Sequence, residues 1–280
     1  MSDLQADNYR ASIAAAFPAL AVRTIHFLAE GWDSVVWTVN GDLVFRFPKR
    51  ASVVTGLQRE SALLPLLGPT LPVPAPHFTY IAEPSVTFPY PFVGYRTLPG
   101  VPLSDAPATI IKPDRLAAQI GAFLIALHRF PLAQAIECDI PATTPDVWYA
   151  EYAAMLAEIR TLYPRMTPAE RERTERLFAD YLDAPETAQF NPVLLHRDLG
   201  GDHLLLDPRT GDLAAVIDWG DLAIGDPAQD FCGLPTTWLP TLLSHYEGAV
   251  DATFAERIAF YRALSPYHTL VFGLRTGSEQ

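Results

Sequence analysis

One stretch, Leu195 to Phe231, constrains the fold of this chain more than any other. It opens with a charged His-Arg-Asp triplet that directly follows an apolar run. Two further apolar runs, Leu204–Leu206 and Leu213–Ile217, are separated by Asp-Pro-Arg-Thr-Gly-Asp. Proline presets φ, glycine admits positive φ and aspartate bonds its own backbone, so this joint is typical of a turn. The two runs therefore predict a β-hairpin.

The ends of this hairpin carry residues that suit phosphoryl transfer. His203 precedes the first strand and Asp218 follows the second, so we expect the two side chains to lie side by side, near the loop that carries Asp198. Phosphoryl transfer needs a divalent cation to neutralise phosphate oxygens and a carboxylate to orient and deprotonate the accepting hydroxyl. Mg²⁺ takes few protein ligands and keeps waters. We therefore predict His203 and Asp218 as metal ligands and Asp198 as the catalytic carboxylate.

The same segment resembles the catalytic loop and metal-binding hairpin of the aminoglycoside phosphotransferases, which are relatives of the protein kinases. The family pattern is H-x-D-x-x-x-x-N, then I-D-W/F-G, then G-D-P-x-x-D-L/F. It falls here on residues 196–203, 217–220 and 225–231. Position 203 is His where most of the family has Asn, and Asp-His-Leu-Leu-Leu-Asp at 202–207 is similar to the 2''-phosphotransferase branch. Imidazole suits transition metals better than Mg²⁺, which leaves Mn²⁺ open as the cation.

The resemblance implies an α+β fold of the two-lobed protein-kinase kind. The small N-terminal lobe, an antiparallel sheet, covers residues 1–100 with an interlobe hinge at 95–100. The larger, mainly helical lobe covers residues 101–280 and carries the catalytic and acceptor-binding groups. We expect His196 to buttress the catalytic loop, and Asp226 to cap a following helix and fix a loop.

Patterns along the chain agree with that fold. The predicted strands are Thr24–Ala29, Val35–Val39, Leu43–Phe47, Val86–Phe92 and Gly94–Leu98, with Asn-Gly at 40–41 predicting a hairpin turn. Apolar spacing predicts helices at 8–20, from about Val53, at 114–128, at 145–163 and at 168–182. A proline at position 65 is expected to end or kink the second helix.

The predicted phosphate-binding group of the first lobe is Arg46, where the family carries lysine. Glu60 lies on or beside the buried stripe of the next helix and needs a partner there. Arg46 is the candidate, and an exposed Glu60 is the alternative. Ser34 is placed to offer a hydroxyl and an N–H to phosphate, against the alternative of an ordinary turn. Lys49 is the alternative phosphate-binding cation.

The predicted nucleotide-binding hinge follows the last strand of this lobe. The resemblance implies that the purine base bonds backbone groups of Arg96 and Leu98. Tyr95 falls at the position that limits depth behind the base. In the 2''-phosphotransferase branch a bulky residue there goes with GTP use, so we expect either ATP or GTP as the phosphate donor.

The net charge indicates which binding partners the protein can have, and the cysteines indicate its cellular location. The net charge of −12 argues against nucleic acid, which needs a basic patch. It favours a cationic small molecule through electrostatic steering, although solubility alone explains it as well. No apolar run reaches the length of a membrane span, and the polar start is not a secretory signal. Cys138 and Cys232 lack zinc spacing, which is typical of thiols in a cytoplasmic protein. We expect a monomer.

These observations predict an enzyme that moves the γ-phosphate of ATP or GTP, with Mg²⁺, to a hydroxyl of a small cationic molecule. An aminoglycoside antibiotic is the first choice, and resistance the corresponding role. Acidic residues expected at the acceptor are Asp202, Glu247 and Asp251. The alternatives are a kinase of another small alcohol, such as a macrolide, homoserine or a choline-like compound, or a nucleotide-binding pseudokinase. Arg46 and His203 motivate the last of these.

Overall fold

Residues 3–183, 189–248 and 250–276 are described by a computed structural model and fall into two units. The first unit comprises Met1–Lys112 and Asp202–Leu222, and the second comprises Pro113–Gly201 and Ala223–Gln280. Both contain helix and strand, so the class is α+β, as predicted. Within the described ranges, no helix combines the length and apolarity that a membrane crossing requires.

Most of the strands lie in the N-terminal part of the chain, and most of the α-helices lie after residue 112. The strands are β1 (Ile25–Glu30), β2 (Ser34–Val39), β3 (Leu43–Pro48), β4 (Tyr80–Ala82), β5 (Phe92–Arg96), β6 (Val101–Pro102), β7 (Val193–Leu195), β8 (Leu204–Leu206), β9 (Leu213–Val216) and β10 (Ala223–Gly225). The α-helices are α1 (Asp3–Ala16), α2 (Val54–Leu67), α3 (Pro113–His128), α4 (Leu132–Glu137), α5 (Pro145–Arg160), α6 (Pro168–Leu182), α7 (Leu239–His245) and α8 (Phe254–Thr276). A 3-10 helix spans Pro227–Phe231.

The first unit is built on an antiparallel five-stranded sheet in the order β1-β2-β3-β5-β4. Successive side chains of a strand point to opposite faces, and one face of this sheet is an apolar core that includes Trp37, Phe45 and Phe47. Arg46 pairs with Val36 on β2, and Val44 pairs with Tyr95 on β5. Because facing residues of an antiparallel ladder share a face, Arg46 and Tyr95 lie on the face opposite to that core.

A second, three-stranded sheet brings the predicted hairpin into the first unit. β8 and β9 pair with each other, which confirms the hairpin, and β8 also pairs with β6. Gly211, in the hairpin turn, has φ +73°, and a Cβ there would approach Ile110 O to 2.0 Å. Residues 202–222 therefore pack with the N-terminal part of the chain. The predicted lobe boundary near residue 100 remains a prediction.

The second unit holds its helices together with aromatic side chains. Tyr181 on α6 stacks on Phe260 of α8 at 3.7 Å between ring centroids, and Trp148 of α5 lies 4.7 Å from Tyr181. The strands β7 and β10 pair antiparallel in the same unit, where β7 contacts α3 and α4. β7 leads directly into residues 196–201, the predicted catalytic loop.

One predicted strand is wrong. Residues 86–91 form no strand, residue 92 begins β5, and the remaining strand of the sheet is Tyr80–Ala82. Three prolines, at 84, 89 and 91, lack the N–H that a ladder requires. The hydroxyl of Ser85 accepts from the N–H groups of Thr87 and Phe88, which closes a turn instead.

Helix boundaries also differ from the predictions in places. α1 runs from Asp3 to Ala16 and not over 8–20, and α2 continues through the proline at position 65 to Leu67. Of the two predicted effects of this proline, ending the helix is wrong, and a kink stays a prediction. The helices predicted at 114–128, 145–163 and 168–182 correspond to α3, α5 and α6.

Candidate active site residues

The predicted metal-ligand pair lies at the open end of the hairpin. The N–H of Ile217 donates to the carbonyl of His203, which continues the ladder past the last strand residues. As a result, His203 Nε2 lies 3.6 Å from Asp218 Oδ2. The predicted proximity of these two side chains is confirmed. Asp218 has φ +62°, a left-handed conformation that aspartate tolerates better than most residues.

Arg46 joins this pair to the five-stranded sheet. Its Nη1 donates to Glu60 Oε1 at 2.7 Å, and its Nη2 donates to Asp218 Oδ1 at 3.1 Å. The predicted Arg46–Glu60 ion pair is thus confirmed, while the bond to Asp218 was not predicted. The planar guanidinium can hold two carboxylates at once, which a lysine ammonium does less rigidly. One oxygen of Asp218 is directed to Arg46 and the other to His203.

Burial decreases along this cluster from Glu60 through Arg46 to Asp218. The side chain of Glu60 is fully buried, that of Arg46 is 11% exposed, and that of Asp218 is 50% exposed. Burial alone would lower the pKa of Arg46, but the charges of Glu60 and Asp218 outweigh it and raise that pKa. Burial raises the pKa of Glu60, opposed by Arg46. Because the guanidinium stays charged and bonds directly to this carboxylate, we treat the pair as ionised.

Tyr95 lies behind Arg46 on the same sheet face. Its side chain is buried and packs against Phe78 at 5.7 Å between ring centroids. Burial raises the pKa of its hydroxyl to about 12, so the group stays neutral at physiological pH. A neutral, immobile ring at this position suits the predicted role as the back wall of a base pocket.

The predicted hinge contains backbone N–H and carbonyl groups that are able to bond a purine base. The Arg96 guanidinium pairs with Asp42 at 3.0 Å, and both side chains are well exposed. Thr97 N–H donates to the Asp42 carbonyl. Within the described ranges, Leu98 has no hydrogen bond to its N–H or carbonyl. Leu98 therefore offers one part of the predicted purine contacts, whereas Arg96, the other predicted residue, pairs with Leu43 in the sheet.

The loop that carries Ser34 is braced by two cations. Gly31 N–H donates to the Ser34 carbonyl, and Lys49 Nζ binds both Glu30 and the Gly31 carbonyl. Arg50 donates to the Trp32 carbonyl at 2.8 Å. Lys49, the alternative phosphate-binding cation, is therefore engaged in holding this loop, whereas Arg46 is the cation that lies beside the His203–Asp218 pair.

The predicted catalytic loop, residues 196–201, lies within the second unit. His196 is buried, whereas Asp198 is exposed. Asp230 Oδ2 accepts from the N–H of His196 at 3.1 Å, and Oδ1 accepts from the N–H of Arg197 at 2.6 Å. Arg197 has φ +72°, a conformation that costs a non-glycine residue on the order of 1 kcal/mol. Asp230 therefore holds the loop in a shape it would not adopt unaided.

Asp226 supports the short helix that carries Asp230. Its Oδ1 accepts from Ala228 N–H, and its Oδ2 accepts from Arg257 Nε and the Tyr261 hydroxyl, both at 2.7 Å. Burial raises the pKa of the Asp226 carboxyl, and Arg257 opposes that effect. The predicted capping by Asp226 is confirmed, although the element it caps is a 3-10 helix.

The three acidic residues expected at the acceptor are divided between the two units. Asp202 belongs to the first unit and is exposed. Glu247 is exposed and lies 3.7 Å from Arg129. Both oxygens of Asp251 are held by Arg257, and Thr253 donates to Oδ1, which lowers the pKa of Asp251 to about 2. Asp251 acts as a brace for α8, and we do not carry it into the proposed acceptor site.

The candidate metal site consists of the two predicted ligands, His203 and Asp218. In the ranges that the structure describes, no three His, Cys, Asp or Glu side chains are arranged to hold a metal ion. A carboxylate and an imidazole whose polar atoms face each other are donors that a divalent cation accepts. Two protein ligands are sufficient for Mg²⁺, which keeps waters and binds substrate phosphates. His203 and Asp218 therefore fit such a cation.

The chain belongs to the phosphotransferase enzyme family, which it matches over residues 24–267. Viomycin phosphotransferase of Streptomyces vinaceus is 29% identical to it over 197 residues. That alignment covers 68% of this chain and 66% of the relative, just under two thirds of the relative's length. The resemblance inferred from the catalytic-loop motifs is confirmed.

Solved structures agree with this assignment. The GDP complex of wild-type aminoglycoside 2'-phosphotransferase-IIIa superimposes with a TM-score of 0.88, at 28% identity, covering 98% of this chain and 93% of that one. The GDP and kanamycin complex of APH(2")-IIia superimposes with a TM-score of 0.85, also at 28% identity, covering 96% and 93%. The predicted kinase-like α+β fold class is confirmed.

Proposed function

We propose that this protein transfers the γ-phosphoryl group of ATP or GTP to a hydroxyl of a small cationic molecule. The observation that carries the proposal is the arrangement around Arg46. Its guanidinium binds Glu60 and Asp218 at once, and His203 lies beside Asp218. A charged donor fixed by a buried carboxylate, next to a pair of metal-ligand groups, is the equipment that phosphoryl transfer uses.

Nucleotide binding is assigned to the sheet face that carries Arg46. Arg46, oriented by Glu60, donates to phosphate oxygens, and Ser34 offers a hydroxyl and an N–H from the braced loop. The purine base bonds backbone groups of Arg96 and Leu98, with Tyr95 behind it. The unpaired N–H and carbonyl of Leu98 within the described part of the chain support this assignment.

The cation is assigned to His203 and Asp218. Mg²⁺ or Mn²⁺, when bound, neutralises charge on the phosphate oxygens of the nucleotide. The contribution of this chain is to hold the Asp218 carboxylate still, through Arg46 on one oxygen, while the other oxygen faces His203. The imidazole makes Mn²⁺ a candidate alongside Mg²⁺.

Asp198 is the proposed catalytic carboxylate. It orients the acceptor hydroxyl, takes its proton, and leaves the hydroxyl oxygen to bond the γ-phosphorus. The bond from that phosphorus to the β,γ-bridging oxygen breaks, and the nucleoside diphosphate leaves with the electron pair. Asp230 supports this role by fixing the two residues that precede Asp198.

An aminoglycoside is the proposed acceptor, and antibiotic resistance the proposed role. The net charge of −12 raises the local concentration of cations near the surface. The similar structures include one with kanamycin bound, and the similar sequence is named for viomycin. Exposed Asp202 and Glu247 are the acidic side chains that we propose at the acceptor. Another small alcohol, such as a macrolide, homoserine or a choline-like compound, is the alternative acceptor.

The proposed location is the cytoplasm, where nucleoside triphosphates are available. Cys138 and Cys232 are both free thiols in the structure. Unpaired cysteines are typical of reducing compartments, which supports this location.

A second candidate function is nucleotide binding without turnover. Arg46 in place of the family's lysine and His203 in place of asparagine favour it. Both replacements keep hydrogen-bonding or ligand capacity, and Asp198 and Asp218 are present. We therefore rank it below the phosphotransferase.

The test measures release of ADP or GDP with each nucleotide separately, across aminoglycosides, viomycin, macrolides and small amino alcohols. Acceptor-dependent release that is lost in Asp198→Asn, with nucleotide affinity retained, supports the enzyme. Asp180→Asn, an equal charge change on an exposed position of α6, is the control and should match the wild type. Nucleotide binding without release by any acceptor contradicts the enzyme and favours the binding protein.

A further inference from the structure

A buried chain of three polar side chains leads to the catalytic loop from the end of α3. The Tyr246 hydroxyl lies 2.6 Å from His128 Nδ1, and His128 Nε2 lies 3.0 Å from Asp230 Oδ2. All three side chains are largely or wholly removed from water. Asp230 is the residue that accepts from the N–H groups of His196 and Arg197.

The partners of His128 favour one tautomer of its imidazole. A carboxylate only accepts hydrogen bonds, so the bond to Asp230 Oδ2 fits the His128 tautomer that carries its proton on Nε2. In that tautomer Nδ1 is an acceptor, and the Tyr246 hydroxyl donates to it. Burial raises the pKa of Tyr246, so its hydroxyl remains protonated and able to donate. In this arrangement each of the two hydrogen bonds that join Tyr246, His128 and Asp230 has one donor and one acceptor.

We propose that His128 and Tyr246 are positioning residues for the catalytic loop, acting through Asp230. This inference rests on the proposed function in assigning Asp198 as the catalytic carboxylate. Asp230 Oδ2 serves two donors, His128 Nε2 and the N–H of His196, and its Oδ1 serves Arg197. His128 therefore sets the rotation of the Asp230 carboxylate about its own side-chain bonds.

The strained backbone makes that rotation matter. Arg197 has φ +72° and is held there by a bond of 2.6 Å to Asp230 Oδ1. Without His128, the carboxylate can turn, the bond to Arg197 lengthens, and the loop relaxes toward an unstrained conformation. Asp198, the next residue, moves with it. A displacement of about 1 Å at a catalytic group is enough to lower turnover by up to about 100-fold.

Two substitutions at His128 separate positioning from packing. The Nε2 of a glutamine occupies about the same place as the His128 Nε2, so His128→Gln keeps the donor to Asp230. His128→Asn places its amide near the former Nδ1 and loses that donor. Tyr246→Phe removes only the hydroxyl and keeps the ring. Thr174→Val is the control, because it also removes a buried hydroxyl, bonded to Tyr267 and to the Glu170 carbonyl.

The experiment combines steady-state kinetics with amide hydrogen exchange. For His128→Asn we expect kcat to fall at least about tenfold, a nucleotide KM within a factor of about three, and faster exchange of the His196 and Arg197 amides. His128→Gln should restore both readouts most of the way. Tyr246→Phe should shift both in the same direction by less, and Thr174→Val should shift neither.

The exchange measurement needs no turnover, so it decides the inference even if no acceptor is found and the proposed function fails. Wild-type exchange at His196 and Arg197 together with wild-type kcat in His128→Asn overturns the inference. Equal losses in His128→Gln and His128→Asn also overturn it, since they indicate packing alone. If His128→Asn does not fold, Tyr246→Phe against Thr174→Val gives the same decision.

Discussion

The two carboxylates that bind Arg46 differ in burial, and this difference predicts different costs for removing each charge. Glu60 is fully buried, so Glu60→Gln leaves Arg46 partly unpaired in a dry environment. Breaking a buried ion pair from one side costs about 3–5 kcal/mol. Because Asp218 still binds Arg46, we expect the lower end, about 3 kcal/mol. Asp218 is half-exposed, and Asp218→Asn should cost at most about 1 kcal/mol.

Urea unfolding measures this difference. With a slope of about 2 kcal/mol per molar urea, Glu60→Gln should lower the unfolding midpoint of the first unit by about 1.5 M, and Asp218→Asn by less than about 0.5 M. Hydrogen exchange of peptides from β3 and α2 assigns the transition to that unit, since a chain of two units need not unfold in one step.

The double variant Arg46→Met with Glu60→Met provides the internal check. Its apolar replacements of similar volume remove both buried charges together. The double variant should therefore be more stable than the single variant Arg46→Met, which leaves the Glu60 charge buried without its cation. Equal midpoint shifts for Glu60→Gln and Asp218→Asn would refute the reasoning from burial. Additive losses in the double variant would refute the claim that the pair acts as a unit.

Two further predictions concern packing and acid stability. Gly94→Ala places a Cβ 2.5 Å from the ring of Phe45, so overpacking should destabilise the sheet by about 1–3 kcal/mol. Gly68→Ala, with nothing within 4 Å of the added Cβ, should not, and similar urea midpoints would contradict this. Arg257 lowers the pKa of Asp251 to about 2 from the ordinary 3.8. A lowered carboxyl pKa adds stability that is complete above the ordinary value and is lost as pH falls through the lowered one. The melting temperature of the wild type should therefore fall more between pH 4 and pH 2 than that of Asp251→Asn, and parallel curves would count against the pairing.

Local patterns predicted much of the first unit. The hairpin at 204–216 follows from a turn-forming hexapeptide between two apolar runs, and β2 and β3 follow from alternation around Asn-Gly. The geometry of a hairpin alone is enough to predict that His203 and Asp218 lie close together. Glu60 was assigned to Arg46 because a carboxylate on a buried helix face needs a cation.

Local sequence patterns do not predict hydrogen bonds between side chains that are far apart in the sequence. Arg46 and Asp218 are 172 residues apart, and no period in the sequence encodes their contact. The hydrogen bond between His128 and Asp230 joins residues that are 102 positions apart, and it depends on how α3 packs in the second unit. The strand predicted at 86–92 failed for a local reason, because its prolines remove ladder donors and Ser85 offers a competing turn.

The central claim is that a phosphoryl group moves from a nucleotide to a small hydroxyl compound. Mass spectrometry of kanamycin and the other acceptors, after incubation with enzyme, Mg²⁺ and either ATP or GTP, tests it most directly. We predict that at least one acceptor gains the mass of one phosphoryl group with wild-type protein and none does with Asp198→Asn. Nucleoside diphosphate that forms while every acceptor keeps its original mass would indicate hydrolysis and contradict the claim.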